Sequence, residues 1–313
     1  MKAIVLNEPG SVDNLVVREL PLPELGANEV LIAVKAISIN PVDVKTRIGG
    51  GIFKNPDFSK QSPLIIGWDI SGTVTESRSD LFKAGDEVFG MVNFPGAGRA
   101  YAEYVAAPAN QMTHKPANVS HPEAAAATLA PLTALQVLSQ QMDIKQGDRV
   151  LIHAGSGGVG HYAIQIAKYY GAYVIATSSA ANKDFILALG ADEHIDYTSQ
   201  RLQDATHHID FVLDTLGIES ILNSIDIVNN AGKIISILSQ FNDEIKEKAK
   251  TKNISGGFYL VQSSGKDMKV IADLMESGRL KSHVSKIYAF EEMGAAHLQV
   301  ETGRTVGKVV VTL

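Results

Sequence analysis

A glycine-rich turn between an apolar run and a helical pattern is the feature that most constrains how this chain folds. Residues 150–160 read Val-Leu-Ile-His-Ala-Gly-Ser-Gly-Gly-Val-Gly, so Gly155, Gly157 and Gly160 have the spacing G-x-G-x-x-G. In a strand–turn–helix context, the first glycine permits a tight turn, the second lets the backbone approach a pyrophosphate, and the third lets the helix pack closely on the strand. Free N–H groups at the start of the helix favour the same phosphates. We therefore expect six consecutive residues to bind a dinucleotide: Gly155, Ser156, Gly157, Gly158, Val159 and Gly160.

The sequence around this turn predicts an α/β domain with a doubly wound parallel sheet of Rossmann type. A second strand-like run at residues 173–176 follows the helix and completes a β-α-β unit. Further strand-like runs at 210–214, 233–237 and 258–261 alternate with helical segments. Such alternation implies right-handed crossovers and a parallel sheet. We place this dinucleotide-binding domain at residues 121–280.

The remaining sequence indicates a second domain that is rich in β-structure. Short strand-like segments at residues 2–6, 15–18 and 30–37 are separated by turns that contain proline or glycine. This pattern is typical of a compact barrel-like domain. Beyond residue 280 the alternation of strands and helices ends, so we expect the tail to return to this domain. Its predicted extent is residues 1–120 together with 281–313.

The composition argues against several classes of function. The net charge of −6 does not suit a protein whose main partner is nucleic acid. No apolar run approaches the roughly 20 residues that span a bilayer, and the apolar N-terminal run is too short for a signal peptide. We therefore expect a cytoplasmic protein with no membrane partner. Cysteine is absent and the nine histidines lack ligand spacing, so we also expect no metal site.

Four segments resemble one branch of a known superfamily. They are residues 40–45 (Asn-Pro-Val-Asp-Val-Lys), 67–72 (Gly-Trp-Asp-Ile-Ser-Gly), 154–160 and 303–310 (Gly-Arg-Thr-Val-Gly-Lys-Val-Val). They are similar to the zinc-independent quinone oxidoreductase branch of the medium-chain dehydrogenase/reductase superfamily, and the resemblance covers essentially the full length. It implies that the β-rich domain is a GroES-like catalytic domain, and that two copies form a homodimer through the last strand of the parallel sheet. Zinc-dependent relatives carry Cys where this chain has Asn40, and His-Glu where it has Trp68-Asp69.

The end of the second predicted strand bears on the choice of nicotinamide cofactor. NAD-selective sites place an acid roughly 20 residues past the glycines, where it binds the ribose hydroxyls. Residues 176–183 here read Ala-Thr-Ser-Ser-Ala-Ala-Asn-Lys, without an acid. This absence favours NADPH, because hydroxyls and a lysine suit a 2′-phosphate. The resemblance implies that this turn and a tyrosine after the next strand hold that phosphate, which indicates Ser178, Ser179, Lys183 and Tyr197.

The resemblance also indicates three further cofactor contacts. Asp214 ends a predicted strand where the nicotinamide half of the cofactor is expected to lie. Phe258 is expected near the nicotinamide, although a core position fits its sequence context equally well. Arg304 is expected to reach the cofactor phosphates or, alternatively, to cap the last helix.

The predicted chemistry follows from hydride transfer without a metal. Hydrogen-bond donors must then stabilise the negative charge that develops on the acceptor oxygen. Such donors suit acceptors that spread charge by conjugation, namely quinones, enones and enals. Asn40 is the first candidate donor, with a turn-forming role before Pro41 as its alternative. Lys45 is the second candidate, as a stabiliser of the oxyanion or as a proton donor, with an ordinary surface lysine as its alternative.

The sequence thus favours an NADPH-dependent, zinc-independent reductase of small-molecule quinones or α,β-unsaturated carbonyl compounds. Two other functions stay open. An enoyl-thioester reductase would be expected to carry a tyrosine soon after the Asn40 loop, but residues 49–53 read Gly-Gly-Gly-Ile-Phe. A non-catalytic NADPH-binding protein with a structural or regulatory role is the third possibility, since cofactor binding and turnover need different residues.

Overall fold

The computed structural model describes all 313 residues and divides them into two compact units. The first unit comprises residues 1–132 and 262–313, and the second unit comprises residues 133–261. Our predicted domain boundaries therefore shift. Residues 121–132 and 262–280, which we expected in the dinucleotide-binding domain, belong to the first unit.

Strands and helices of both units are numbered in chain order. The strands are β1 (Lys2–Leu6), β2 (Leu15–Glu19), β3 (Glu29–Ile39), β4 (Asp69–Ser77), β5 (Glu87–Met91), β6 (Tyr104–Pro108), β7 (Met112–His114), β8 (Arg149–Ile152), β9 (Tyr173–Ser178), β10 (Glu193–Asp196), β11 (Ile209–Asp214), β12 (Val228–Ser236), β13 (Ser255–Phe258), β14 (Val284–Ala289) and β15 (Lys308–Thr312). The α-helices are α1 (Pro41–Arg47), α2 (Pro56–Ser59), α3 (His121–Ala126), α4 (Leu129–Leu135), α5 (Gly160–Tyr169), α6 (Lys183–Ala188), α7 (Leu202–Ala205), α8 (Ile218–Ile225), α9 (Asp243–Lys250), α10 (Gly265–Glu276) and α11 (Met293–Glu301).

The second unit is built on a six-stranded parallel sheet. Its strand order is β10-β9-β8-β11-β12-β13, with every neighbouring pair parallel. When these six strands are renumbered from 1 in sequence order, their order in the sheet is 3-2-1-4-5-6. This is the arrangement of a doubly wound Rossmann sheet, and it confirms the predicted fold class. The order reverses between β8 and β11, so the carboxyl ends of these strands form the switch point where ligands bind in such sheets.

Close packing explains why the last strand of this sheet differs from the prediction. We expected a strand at residues 258–261, whereas β13 covers Ser255–Phe258. A Cβ atom at Gly256 would lie 1.8 Å from the carbonyl oxygen of Ile234 on β12. Only glycine allows this approach, and so the strand begins in a sequence that lacks the apolar side chains typical of strands.

The first unit contains a seven-stranded sheet in the order β14-β15-β3-β4-β5-β7, with β6 also paired to β3. All pairs are antiparallel except β14 with β15. The strand β15 lies beside β3, with Val310 opposite Ser38. The tail of the chain therefore returns to the β-rich unit, as predicted.

Small residues explain why α3 belongs to the first unit. Its Ala125 and Ala126 are fully buried and pack in one cluster with Ala36 of β3 and Val310 of β15. Helix α10 also belongs there, because a Cβ atom at its Gly265 would lie 2.5 Å from the carbonyl oxygen of Asn110. The apolar stretches of these helices are short, and no helix reaches the length and hydrophobicity that a membrane crossing requires.

Candidate cofactor and catalytic sites

The glycine turn of the second unit packs against the neighbouring strand so closely that side chains are excluded. The N–H of Gly155 donates to the carbonyl of Thr177 at 2.8 Å, and that of Gly157 donates to the carbonyl of Ala154 at 2.9 Å. A Cβ atom at Gly160 would lie 2.2 Å from the oxygen of Ala154, and one at Gly155 would lie 2.9 Å from the Cβ of Ala176. These contacts match the two packing roles expected for the first and third glycines of the motif.

The surface of this turn fits a pyrophosphate. Ser156, Gly157, Gly158 and Val159 are partly exposed, and Gly160 begins the ten-residue helix α5. The first turn of α5 carries no acidic residue, so nothing there opposes an anion at the positive end of the helix dipole. The shape and charge of this turn are compatible with the predicted pyrophosphate contacts, which stay a prediction.

Ser178 supports the turn after β9 and is not a free donor for a phosphate. Its side chain is 2% exposed, and its hydroxyl donates to the carbonyl of Ser179 at 2.9 Å. Nε2 of His194 lies 2.9 Å from the same oxygen and must therefore be the donor in that contact. Because the hydroxyl proton is already used, the predicted phosphate contact of Ser178 is not supported, and we assign this residue a positioning role.

The other predicted phosphate ligands lie on the accessible surface near this strand end. Ser179 is partly exposed, Lys183 is exposed, and Tyr197 is 65% exposed just after β10. These three positions remain candidates for the 2′-phosphate contacts. Asn182, which was not predicted from the sequence, lies beside them: its Nδ2 is 3.1 Å from Oγ of Ser156 and 3.5 Å from Oγ of Ser179.

Asp214 is the last residue of β11, and its buried side chain binds the turn that follows instead of supporting the predicted cofactor contact. The carboxylate is fully buried and accepts hydrogen bonds from the backbone N–H of Gly217 at 3.1 Å and from the hydroxyl of Ser236 at 2.7 Å. It also accepts from the hydroxyl of Ser220. With its oxygens committed to the protein, this acid shapes the loop at the switch point. Phe258 ends β13 and is partly exposed, so its predicted contact with the nicotinamide remains a prediction.

Asn40, the first predicted catalytic donor, lies in a buried polar network of the first unit. Its side chain is 2% exposed, and Nδ2 donates to Oδ2 of Asp69 at 2.7 Å. Its Oδ1 accepts from Nζ of Lys308, a lysine that is itself 3% exposed on β15. An asparagine amide has two N–H donors, and the predicted catalytic role of Asn40 requires the second one to reach a ligand. That role stays a prediction, because the side chain is buried and Asp43 lies beside its amide.

Asp43 adds a second carboxylate to this network. Its Oδ2 accepts from the backbone N–H of Asn40 at 2.6 Å and fixes the first turn of α1, whereas its Oδ1 is buried without a hydrogen-bond partner. Burial, assisted by the charge of Asp69, raises the pKa of Asp43 to about 8. Burial likewise raises the pKa of Asp69 and lowers that of Lys308. The amine of Lys308 thus shares this network with two carboxyl groups, and the raised pKa of Asp43 lets that carboxyl hold a proton near neutral pH.

A chain of polar side chains connects α1 to α11. The hydroxyl of Tyr101 lies 2.9 Å from Nε2 of His297, and Nε of Arg47 donates to Nδ1 of His297 at 3.3 Å. Arg47 also forms an ion pair with Glu301 and donates to the carbonyl of Gly10. Burial, with the charge of Arg47, lowers the pKa of His297 to about 3, so this ring is neutral in the folded protein. These polar contacts hold the buried face of α1 in place.

Lys45 lies on the opposite, exposed face of α1. No protein group bonds its ammonium, and partial burial lowers its pKa. The structure therefore places the two predicted catalytic residues on one short segment, with Asn40 directed inward and Lys45 outward. Arg304, also in the first unit, is exposed in the loop before β15, and its predicted phosphate contact remains a prediction.

The positions of the zinc ligands in related enzymes carry other functions here. Trp68 is fully buried, stacks on Phe58 at 5.9 Å between ring centroids and donates from Nε1 to the carbonyl of Gly96 at 2.7 Å. The structure contains no group of three or more His, Cys, Asp or Glu side chains arranged to hold a metal ion.

Comparisons with known proteins agree in both units. A family model described as alcohol dehydrogenase GroES-like domain matches residues 26–117, and one described as zinc-binding dehydrogenase matches residues 189–311. The chain is 32% identical to 2-methylene-furan-3-one reductase of Solanum lycopersicum and 32% identical to NADPH-dependent alkenal/one oxidoreductase, chloroplastic, of Arabidopsis thaliana. Each alignment covers 99% of this chain and 79% of the relative. The solved quinone oxidoreductase of Coxiella burnetii has a TM-score of 0.93 and 38% identity, and the match covers 100% of this chain and 99% of that one.

Proposed function

We propose, since this chain belongs to the zinc-independent quinone oxidoreductase branch of the medium-chain dehydrogenase/reductase superfamily, that it reduces quinones or α,β-unsaturated carbonyl compounds with NADPH. The observation that carries this proposal is the glycine turn, where a Cβ atom at Gly160 would lie 2.2 Å from the oxygen of Ala154. This close packing holds the glycine turn against the start of α5, where free backbone N–H groups can bind a pyrophosphate. When bound, NADPH supplies the hydride.

The preference for NADPH over NADH is supported by the residues at the end of β9. No acid occupies residues 176–183, whereas Ser179 and Lys183 present a hydroxyl and an ammonium there. A carboxylate at this place would repel a 2′-phosphate, but these groups attract it. Tyr197 adds an exposed phenol at the end of the next strand.

Lys45 is the side chain that we propose to stabilise the charge on the acceptor oxygen. Its ammonium is free of protein partners, and its lowered pKa makes it a better acid near neutral pH than an ordinary lysine. It would donate a proton to the enolate or quinolate oxygen. The remaining N–H of Asn40 would be a second donor, held in place by Asp69 and Lys308.

The test is consumption of NADPH and of NADH by the purified protein with a quinone, an enone, an enal and a crotonyl thioester. We expect turnover of the quinone or the enone that resists EDTA, with kcat/KM at least about tenfold higher for NADPH. Preference for the thioester would instead identify an enoyl-thioester reductase. Tight binding of NADPH without turnover of any acceptor would identify a non-catalytic protein.

We also propose a homodimer and a cytoplasmic location. The strand β13 lies at the edge of the parallel sheet, and an edge strand needs a partner or protection. Light scattering after size exclusion tests the assembly, since a species of 33.5 kDa alone would contradict it. Fractionation of the source cells tests the location.

A further inference from the structure

The side-chain amide of Asn182 connects the glycine turn to the turn after β9. Its Nδ2 lies 3.1 Å from Oγ of Ser156, which stands inside the glycine motif, and makes a longer contact of 3.5 Å with Oγ of Ser179. The backbone N–H of Asn182 donates to the carbonyl of Ser179 at 3.0 Å, which fixes the turn that carries the amide. Two hydroxyls from different strand ends thus converge on one side chain.

The direction of these contacts leaves both serine hydroxyls with an unused proton. An amide nitrogen only donates, so the oxygens of Ser156 and Ser179 are the acceptors. Neither hydroxyl donates to another protein group. Each can therefore donate its proton to a ligand, and the exposed ammonium of Lys183 follows directly in the chain. Hydroxyl donors beside an ammonium suit a doubly charged phosphate.

Asn182 also occupies the segment where Rossmann domains that prefer NAD carry their acid, roughly 20 residues past the glycines. An aspartate has nearly the same shape as asparagine, but it could only accept hydrogen bonds. It would take the protons of Ser156 and Ser179 for itself and add a negative charge. With an amide at residue 182, both serine hydroxyls accept a hydrogen bond from it. With a carboxylate there, both hydroxyls would instead donate to it.

We propose that Asn182 is a specificity-determining residue, which selects a 2′-phosphorylated adenosine by holding Ser156 and Ser179 as hydrogen-bond donors. The inference rests on the proposed function, since it concerns the same cofactor. Asn182 acts as a positioning residue, because its amide protons point to the serine oxygens.

The test is calorimetric binding of adenosine 2′,5′-bisphosphate and of adenosine 5′-monophosphate to the full chain. For Asn182→Asp we expect the ratio of the two affinities to fall at least about 30-fold, because charge repulsion adds to the reversed donors. For Asn182→Ala we expect a fall of about fivefold, the effect of losing one hydrogen-bonding partner. Affinity for the monophosphate should change less than about threefold in either variant.

Asn223→Asp is the matched control, because Asn223 is exposed on α8 in the same unit and the substitution adds the same charge. It should leave the affinity ratio unchanged, and circular dichroism of all variants reports folding. A wild-type protein that binds both nucleotides equally would contradict the proposed use of NADPH. A wild-type preference for the bisphosphate that survives in Asn182→Asp, or equal losses for both nucleotides in Asn182→Ala, would refute the role of Asn182 alone.

Discussion

Replacing Asp43 with asparagine is expected to remove a pH dependence from the stability of the first unit. The unfolded chain ionises this carboxyl above about pH 3.8, whereas the folded protein keeps its proton up to about pH 8. Between these values the folded state binds more protons than the unfolded state, so stability falls as the pH rises. Asparagine resembles the protonated acid: it keeps an oxygen for the N–H of Asn40 and places an NH₂ group where Oδ1 has no partner.

The interval from pH 6.5 to pH 8 separates the effect of Asp43 from that of His297. His297 has the opposite dependence, because the unfolded ring is charged below pH 6.5 and the folded ring stays neutral down to about pH 3. Below pH 6.5 the slopes of Asp43 and His297 oppose each other, and above it His297 no longer contributes. Integrating one proton with a folded pKa of about 8 gives a loss of about 1.6 kcal/mol from pH 6.5 to pH 8. Asp69 and Lys308 interact with Asp43, so the comparison reports the titration of this coupled group as a whole.

The assay is urea unfolding followed by the fluorescence of Trp68. This residue is the only tryptophan in the chain and is fully buried in the first unit, so its signal reports on that unit. Asp43→Asn should already be more stable than wild type at pH 6.5, because the unfolded acid ionises above about pH 3.8, and its advantage should grow by about 1.6 kcal/mol from pH 6.5 to pH 8. Asp80→Asn, an exposed acid of the same unit, is the control that should follow wild type. If the unfolding free energies of wild type and Asp43→Asn changed equally with pH, the claim that Asp43 keeps a buried proton would be refuted.

Three further substitutions test the cofactor turn, the proposed donor and the buried chain. Gly160→Ala should weaken NADP⁺ binding at least about 30-fold, because its Cβ would lie 2.2 Å from the oxygen of Ala154; unchanged affinity in a titration would contradict the cradle. Lys45→Met should lower kcat by about 10- to 100-fold and change its pH profile, while Lys54→Met on the neighbouring loop should not; equal effects would remove Lys45 from the chemistry. Arg47→Met should lower the free energy of urea unfolding of the first unit by about 3 kcal/mol, because it leaves His297 and the carbonyl of Gly10 unpaired. A decrease below about 1 kcal/mol would show that these buried polar contacts are dispensable.

The parts of the fold that were predictable depend on patterns within short stretches of sequence. The glycine spacing between residues 155 and 160 and the apolar runs of β8, β9 and β11 specify turn and strands locally, so the parallel sheet followed from them. The glycines of β13 have no such pattern, because that strand exists through close approach to β12 rather than through apolar side chains. Its bounds were therefore predicted incorrectly.

The site residues that were missed depend on contacts between distant parts of the chain. Lys308 binds Asn40 across 268 residues, and a lysine at the start of a strand gives no sign of such a partner. Asp214, by contrast, was predicted as a cofactor contact, but its carboxylate binds groups of the protein. An acid at the end of a strand reads the same whether it faces a ligand or, as here, the N–H groups of its own turn. Asn182 is one polar residue in a polar loop, and only its distance from Ser156 reveals it.

The most direct test of the proposed reaction is the position of a transferred deuterium. The purified protein, treated with EDTA, would be given NADPH deuterated at the transferable C4 position together with an enone, and the product would be analysed by mass spectrometry and NMR. We predict one deuterium on the β-carbon of the saturated ketone, because conjugation lets the developing charge reach the oxygen where a hydrogen-bond donor can stabilise it. Absence of any reduced product with the enone or with a quinone, despite tight NADPH binding, would contradict the proposed function.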